Sequence, residues 1–446
     1  MRGGSPRSAV GTARVWRGGI ALGAAALAAA AVATVHGQPS NAFRASRDHP
    51  AIAYSTGPVD NAVVDLNRQV REGAVELTFA GESGYLRAVL EALDIPVESQ
   101  VTVFSPTSNR APLITSSNPR AIFFRDDVAV AWVRGSDELE LAVQDRRQGS
   151  VFYTLAQTPA AAPQFERDDQ CLACHLTWDS LGVPGLQVLS TFPLTSDPNA
   201  YATGFTSDHR ARIEDRWGGW YVTGRHEPFV HMGNVEVTDV DDPQATIGVP
   251  RPELPSLDGL FDATGYLAPH SDMAALMVLE HQAHMTNLIT QVGWEARRIL
   301  YREAAGGAPA GDGAAELLQE SIIYLVDYLL FVDEAPLTRP IAGSGGFAAA
   351  FEARGPRDSR GRSLRELDLD RRLMRYPCSY MIYTRAFDAL PEPAKAGIYR
   401  RLWDVLSGRV TDAVYERLSP ADRAAIVEIL IDTKPDLPDY FRPLGP

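Results

Sequence analysis

The sequence predicts an α+β fold, in which a strand-rich region precedes a helical region. In the first half, four runs rich in β-branched and aromatic residues are separated by short turn sequences, a pattern typical of an antiparallel meander. These runs are residues 121–124, 128–132, 139–143 and 151–155. After about residue 268, apolar residues recur at helical spacing instead. The helices predicted from this spacing are 271–302, 314–333, 364–375, 377–389, 393–407 and 420–432.

One five-residue motif carries the clearest chemical signal. Cys171-Leu-Ala-Cys174-His175 holds two of the three cysteines among 446 residues, in the form C-x-x-C-H. Two thiols three residues apart lie on the same side of a helical turn, so both can form thioethers with the vinyl groups of one haem. The adjacent imidazole then reaches the iron as its fifth ligand. The sequence therefore predicts one covalent haem c, attached through Cys171 and Cys174, with His175 as the proximal ligand.

Three other readings of the motif compete with haem attachment. A zinc knuckle needs further cysteine or histidine ligands at metal-binding spacing, and the chain has no second C-x-x-C. A thioredoxin-like dithiol needs the motif to open a helix after a strand, in a βαβ unit that the surrounding sequence does not suggest. A structural disulfide between Cys171 and Cys174 stays open, although it would close a tight loop.

The start of the chain has the composition of a secretory signal peptide. Residues 1–37 contain four arginines, no acidic residue, an Ala-rich apolar run and small-residue cleavage sites near residues 33 and 37. The expected location is the periplasm or the exterior, with an N-terminal membrane anchor as the alternative. Because haem c is attached outside the bacterial cytoplasmic membrane, this expectation agrees with the motif.

The rest of the chain divides by pattern into three parts. Residues 38–60 are polar and irregular and are expected to form a mobile leader. Residues 61–255 are expected to be a strand-rich haem c domain, and residues 256–446 a helical domain. A segment rich in Pro and Asp, residues 241–260, is the expected linker.

The net charge of the chain limits the kinds of molecule that it can bind. The formal net charge is −14, and removing the four arginines of residues 1–37 makes the remaining chain −18. Such an acidic chain is a poor binder of nucleic acid. The charge suits either solubility alone or steering toward a basic redox partner protein. No apolar run after residue 37 has the uncharged length of a transmembrane span.

A sixth iron ligand is expected within residues 225–234 or residues 281–285. Met232 is the first choice, because it lies 57 residues beyond His175 in a turn beside Gly233. A thioether ligand favours ferrous iron. The alternatives, chosen for their imidazoles, are His231, His226 and His281.

The segment before Met232 also supplies residue types that suit a porphyrin. Arg216 and Arg225 are expected to bind haem propionates, because guanidinium groups pair with carboxylates. Trp220 is expected to wall the ring. The third cysteine, Cys378, is expected to be a small core residue rather than a reactive thiol.

Residues 167–190 resemble c-type cytochromes. The segment Gly182-Val-Pro184-Gly-Leu186 looks like the Gly-Pro-Leu stretch that follows the haem motif in small cytochromes c. That resemblance implies that the carbonyl of Pro184 accepts a hydrogen bond from the proximal imidazole.

A wider resemblance covers most of the chain. It is to a family of exported monohaem cytochrome-like proteins of environmental bacteria, which brings no established substrate. The stretches that carry it are 123–127, 151–154, 216–221, 231–234, 280–282 and 376–380.

Two functions are compatible with these features. The favoured one is a periplasmic electron carrier, because covalent haem c is most often used for electron transfer. The alternative is a haem enzyme or sensor, peroxidase- or oxidase-like, with an open or displaceable sixth iron position. The length of the chain favours this alternative, because one low-spin haem needs far fewer residues.

Overall fold

The computed structural model describes residues 41–194, 203–239, 241–306 and 312–444. The predicted signal peptide, residues 1–37, lies outside the described residues. The described strands are β1 Val101–Val103, β2 Arg120–Arg125, β3 Val128–Trp132, β4 Glu138–Asp145, β5 Gly149–Ala156, β6 Glu166–Arg167, β7 Leu189–Thr191, β8 Gly204–Thr206, β9 Trp220–Tyr221, β10 Gly224–His226 and β11 Ile341–Gly343. The described α-helices are α1 Asn41–Arg47, α2 Ala62–Arg71, α3 Leu86–Ala92, α4 Leu172–His175, α5 Gln244–Ile247, α6 Met273–Ala304, α7 Asp312–Leu329, α8 Phe347–Glu352, α9 Arg385–Asp388, α10 Glu392–Leu406 and α11 Pro420–Thr433.

The predicted α+β class and the antiparallel meander are confirmed. The main sheet has the order β6-β5-β4-β3-β2-β1-β9, and each neighbouring pair is antiparallel. Cross-strand partners place Ile122, Ala131 and Glu140 in one row on one face of this sheet. Because side chains alternate between faces along a strand, Phe123 and Val130 lie on the other face, where they pack into a cluster with α2 and α3.

The segment expected to be a mobile leader contributes side chains to the core within its described part, residues 41–60. Tyr54 is fully buried, and its hydroxyl donates a hydrogen bond to the Ser150 carbonyl at 2.9 Å. Ile52 is buried in the same cluster. The polar, irregular composition of this segment therefore includes apolar side chains that pack against the rest of the chain.

Helix α6 is the central element of the helical half. Its side chains from Met273 to Thr290 are all buried, because it lies between the helices α7 and α10 and the sheet face that carries Ile122 and Ala131. A helix that is buried all round belongs to the core. Its N-cap is Asp272, whose carboxylate accepts from the backbone N–H groups of Ala274 and Ala275, and not Ser271, where the predicted range begins. The Ser271 hydroxyl donates instead to the Tyr221 carbonyl at 2.5 Å.

The later helices follow the prediction in part. Helices α7, α10 and α11 lie where expected, and Ser419 caps α11 through a capping box with Asp422. The predicted helix over 364–375 is instead a series of turns. There the Asp368 carboxylate accepts from the backbone of Asp370 and Arg371, which competes with helix formation. The predicted helix over 377–389 is reduced to a 3₁₀ turn at Tyr380–Tyr383 and the short α9.

The strand-rich and helical halves share buried apolar side chains. The largest buried cluster includes Val101 and Phe124 from the sheet together with Leu288 and Leu402 from the helices. Strand β10 also pairs with β11 across the expected linker. Among the described residues, no helix has the length and apolar character needed to span a membrane.

Candidate haem site

A cavity beside the C-x-x-C-H motif lies between one face of the main sheet and helix α6. Its volume is about 130 Å³, counted as the space open to the centre of a water-sized sphere, and it is partly open to solvent. Its lining residues come from the sheet, the motif, the segment after the motif, and α6.

The floor of the cavity is flat and apolar. Ala129 and Ala131 of β3 and Ala142 of β4 point into the cavity from neighbouring strands. Because alanine carries no atom beyond Cβ, these positions leave room for a broad planar group above the sheet. Ile122 and Phe152 border this alanine floor on either side.

The two cysteines of the motif line this cavity together. Cys171 closes a 3₁₀ turn capped by Asp168, whose side chain accepts from the Gln170 backbone N–H at 2.9 Å. Cys174 lies in the short helix α4 and is exposed. Both are free thiols, so the structure does not contain the disulfide that the sequence left open. Burial, and next the Asp168 carboxylate, raise the pKa of Cys171 to about 12.

His175 is held as a neutral imidazole in one tautomer. Its Nδ1 lies 2.9 Å from the Gly185 carbonyl oxygen, which can only accept, so Nδ1 carries the proton. Nε2 is therefore unprotonated and has the lone pair that a metal ligand needs. Burial lowers the pKa of His175, against the opposing effect of the bond to Gly185. The ring packs on Phe152, with centroids 4.8 Å apart.

The acceptor of this hydrogen bond corrects the expectation from cytochrome resemblance. The predicted acceptor, the carbonyl of Pro184, instead accepts from the Ser150 backbone N–H of β5 at 3.0 Å. Pro184 therefore anchors the segment to the sheet, and the next residue along, Gly185, orients the imidazole.

Helix α6 anchors the same segment from the other side. The Asn287 amide accepts from the Leu186 N–H at 2.9 Å and donates to the Leu186 carbonyl at 2.7 Å. The approach is so close that a Cβ on Gly185 would lie 2.1 Å from Asn287 Oδ1. Sequence reasoning missed Asn287, because it is one of several polar residues in this part of the helix.

The opposite wall of the cavity is apolar. Leu279 and Ala283 of α6 and Val188 contribute to it. Trp220, predicted to wall a porphyrin, also lines the cavity, and its indole N–H donates to the Leu189 carbonyl at 2.7 Å. The wall is therefore held rigid by both packing and a hydrogen bond.

One ion pair faces into the cavity. Arg120 of β2 and Glu140 of β4 lie 2.8 Å apart, with their side chains 21% and 15% exposed. They meet across β3 because Glu140 shares a cross-strand row with Ala131 and Ile122, and Arg120 lies two residues from Ile122 on the same face. The Nε atom of Arg120 is buried without a hydrogen-bond partner. Sequence reasoning missed both residues, although each is a charged residue in a β-rich run.

Neither of the two arginines predicted to bind propionates lines the cavity. Arg216 is fully buried, where it binds Glu280 at 3.1 Å and the carbonyl of His209 at 2.8 Å. Arg225 lies exposed on β10. The sequence analysis expected arginine at the haem propionates but chose two positions outside the cavity. Arg216 lies outside it because the segment between β8 and β9 places its side chain against Glu280 of α6.

The residues proposed as sixth ligands also lie outside the cavity lining. The Met232 backbone N–H donates to the Arg216 carbonyl. His231 is buried, and its Nδ1 accepts from the Gly233 N–H at 3.1 Å. His226 makes a 2.9 Å hydrogen bond to the carbonyl of Glu227.

His281 belongs to a separate buried polar cluster. Its Nδ1 lies 2.8 Å from His209 Nδ1, and its Nε2 lies 2.7 Å from Ser379 Oγ. Both ring nitrogens are therefore engaged. Within the described part of the chain, the motif supplies the sole thiols and imidazole of the cavity lining, and no methionine lines it. The internal segments outside the description, residues 195–202, 240 and 307–311, contain no His, Met or Cys in their sequence.

The residues around the cavity fit a haem c. Two thiols and one imidazole with an unprotonated Nε2 stand at one end, and the alanine floor suits a planar macrocycle. The partnerless Nε of Arg120 suits an added carboxylate. Among the described residues, no group of three or more His, Cys, Asp or Glu is arranged to hold a metal ion by itself. Cys378 is fully buried, and burial raises its pKa.

Comparisons with known proteins yield no assignment. No family model matches the chain, and no curated protein and no solved structure is similar to it.

The Gly185 contact predicts that a single added methyl group disturbs the imidazole support. In Gly185→Ala, the Cβ collides with Asn287 Oδ1 and breaks the bonds to Leu186. We expect a loss of about 1–3 kcal/mol in the free energy of unfolding, measured by urea denaturation. Gly313→Ala is the control, because a Cβ there meets open space and favours the helix. A Gly185→Ala protein as stable as the parent would contradict this account of the segment.

The buried His cluster predicts a measurable acid sensitivity. His284 Nε2 lies 3.3 Å from the Arg210 guanidinium and 3.1 Å from the Tyr324 hydroxyl. Burial lowers the pKa of His284 to about 4, whereas an unfolded histidine has a pKa of about 6.5. As the pH falls below 6.5, His284 therefore binds a proton in the unfolded state but not in the folded state. The free energy of unfolding decreases as a result.

The test compares the pH dependence of unfolding in two variants. Between pH 6.5 and 5, His284→Gln should lose stability less steeply than the parent, by up to about 1.4 kcal/mol per pH unit. His226→Gln, which removes a partly exposed imidazole outside this cluster, is measured alongside as a comparison. Equal slopes in His284→Gln and the parent would show that His284 is not held neutral.

Proposed function

We propose that this protein is a periplasmic monohaem c-type cytochrome that carries single electrons. The haem is attached through Cys171 and Cys174, with His175 as the proximal iron ligand. The observation that carries the proposal is that all three side chains of the motif line one cavity with a flat apolar floor. The C-x-x-C-H motif alone predicts the same chemistry, and the cavity adds an apolar surface beside it.

The protein residues prepare this cavity for one-electron chemistry. When bound, haem iron exchanges one electron between its ferric and ferrous states. Gly185 fixes the tautomer that leaves His175 Nε2 ready to bind. The apolar walls, including Leu279 and Val188, limit access of water, and burial is one of the properties that set a haem potential.

Location and partner follow from the sequence. Haem c attachment requires export, which the composition of residues 1–37 supports. A net charge of −18 beyond that segment favours a redox partner with a basic surface.

A second candidate function is favoured by the placement of the expected sixth ligands. Met232, His231, His226 and His281 lie outside the described cavity lining, where each has other contacts. An iron held by His175 alone has an open sixth position, which is typical of haem enzymes and sensors rather than of low-spin carriers. This candidate keeps the same haem, attachment and proximal ligand.

The attachment itself predicts a result on denaturing gels. Protein exported together with the haem attachment machinery should keep its haem after denaturation and stain for haem peroxidase activity. The variant Cys171→Ala/Cys174→Ala should lose the stain, because no thioether can form. Cys378→Ala is the matched control: it removes the third cysteine, which is buried outside the cavity, and should keep the stain. Release of haem from the parent by acid acetone would contradict covalent attachment.

The sixth position predicts the spectrum of the ferric protein. The second candidate predicts that ferric iron in the parent is high-spin and binds cyanide, whereas a carrier is expected to be low-spin. Met232→Ala should then leave the optical and electron paramagnetic resonance spectra unchanged. If the parent is low-spin and Met232→Ala is high-spin, Met232 is the sixth ligand and the protein is a simple electron carrier. This result would contradict an open sixth position.

A further inference from the structure

We propose that Arg120 binds the carboxylate edge of the haem, exchanging its present partner Glu140 for a propionate. This inference rests on the proposed function, because it assumes that the cavity holds haem. It adds a direction: the haem lies with its vinyl edge at the motif and its propionate edge at β2.

The order of strands places the two ends of the cavity. Phe152 of β5, against which His175 packs, marks the attachment end. The backbone of Arg120 lies on β2, three strands further along the sheet, which is about 14 Å at the usual spacing of neighbouring strands. Its guanidinium reaches back across β3 to the Glu140 carboxylate of β4. The vinyl and propionate groups lie on opposite edges of a haem, so thioethers at one end place the carboxylates toward the other.

The donors at the β2 end suit carboxylates. Thr107, Ser108 and Asn109, in the loop that joins β1 to β2, line the cavity together with Arg120. The middle of the cavity, by contrast, has the alanine floor. Polar groups are thus concentrated at the end where the propionates would lie.

Arg120 has the capacity to bind a further anion. A guanidinium has five N–H donors, and the Nε–H of Arg120 is buried without a partner. Within the described lining of the cavity, it is the one arginine or lysine. Carboxylates pair with such a group in a bidentate geometry. The exchange leaves Glu140 in the cavity as a negative charge near the haem.

The two charges predict opposite shifts of the reduction potential. Ferric haem carries one more positive charge than ferrous haem, so a nearby cation favours reduction. Arg120→Gln should therefore lower the potential of the haem-loaded protein, and Glu140→Gln should raise it. Arg125→Gln is the matched control, because Arg125 lies on the same strand but on the opposite face, where it pairs with Asp94 and Asp127.

The experiment is a potentiometric titration of the exported, haem-stained proteins, combined with resonance Raman spectra of the propionate bending bands. We expect Arg120→Gln to lower the potential and shift these bands, while Arg125→Gln changes neither. Should Arg120→Gln fail to accumulate with haem, Arg120→Lys serves instead: it keeps the charge but loses the bidentate contact, so the bands shift and the potential changes little.

Two results separate the possible failures. Unchanged propionate bands and an unchanged potential in a haem-loaded Arg120 variant would overturn the role of Arg120 and leave the proposed function intact. A parent protein that carries no covalent haem would overturn the proposed function itself, and this inference with it.

Discussion

The hydrogen bond from His175 to the Gly185 carbonyl is the interaction on which the site depends. It fixes the imidazole tautomer, and it does so because Gly185 is itself held between two large elements. Pro184 is bonded to β5, and Leu186 is clamped by Asn287 of α6. The motif is a short local sequence, but its chemistry is set by a sheet and a helix far apart in the chain.

The cavity follows from the same arrangement. Helix α6 lies over a sheet face whose central residues are alanines, so the two layers do not close on each other. Their separation leaves a slot with an apolar floor, lined by the anchored motif and by Arg120. Leucine side chains at positions 129 and 131 would fill this slot, so that the motif would face packed side chains instead of a cavity.

Much of the fold was predictable because its signals are local. Alternation and turn residues gave the meander, and helical spacing gave α6, α7, α10 and α11 nearly to their ends. The differences from the sequence-based expectations were tertiary in origin. The Asp368 carboxylate favoured turns over a helix, and Tyr54 docked a segment whose composition suggested mobility.

The site was predictable only in its contiguous part. Cys171, Cys174 and His175 share one helical turn, so spacing alone brings them together. Arg120 and Glu140 meet across an intervening strand, and only the register of the sheet reveals it. Met232 was chosen by its distance along the chain from His175, whereas its place beside Arg216, outside the cavity lining, depends on long-range packing that no local pattern encodes.

The most direct test of the central claim is a crystal structure of the exported protein with diffraction data collected at the iron absorption edge. The account predicts one anomalous peak in the cavity, bonded to His175 Nε2, with continuous density from both Cys171 and Cys174 to a planar ring over the alanine floor. A protein with no iron peak in this cavity, or with a disulfide joining the two cysteines, would contradict it.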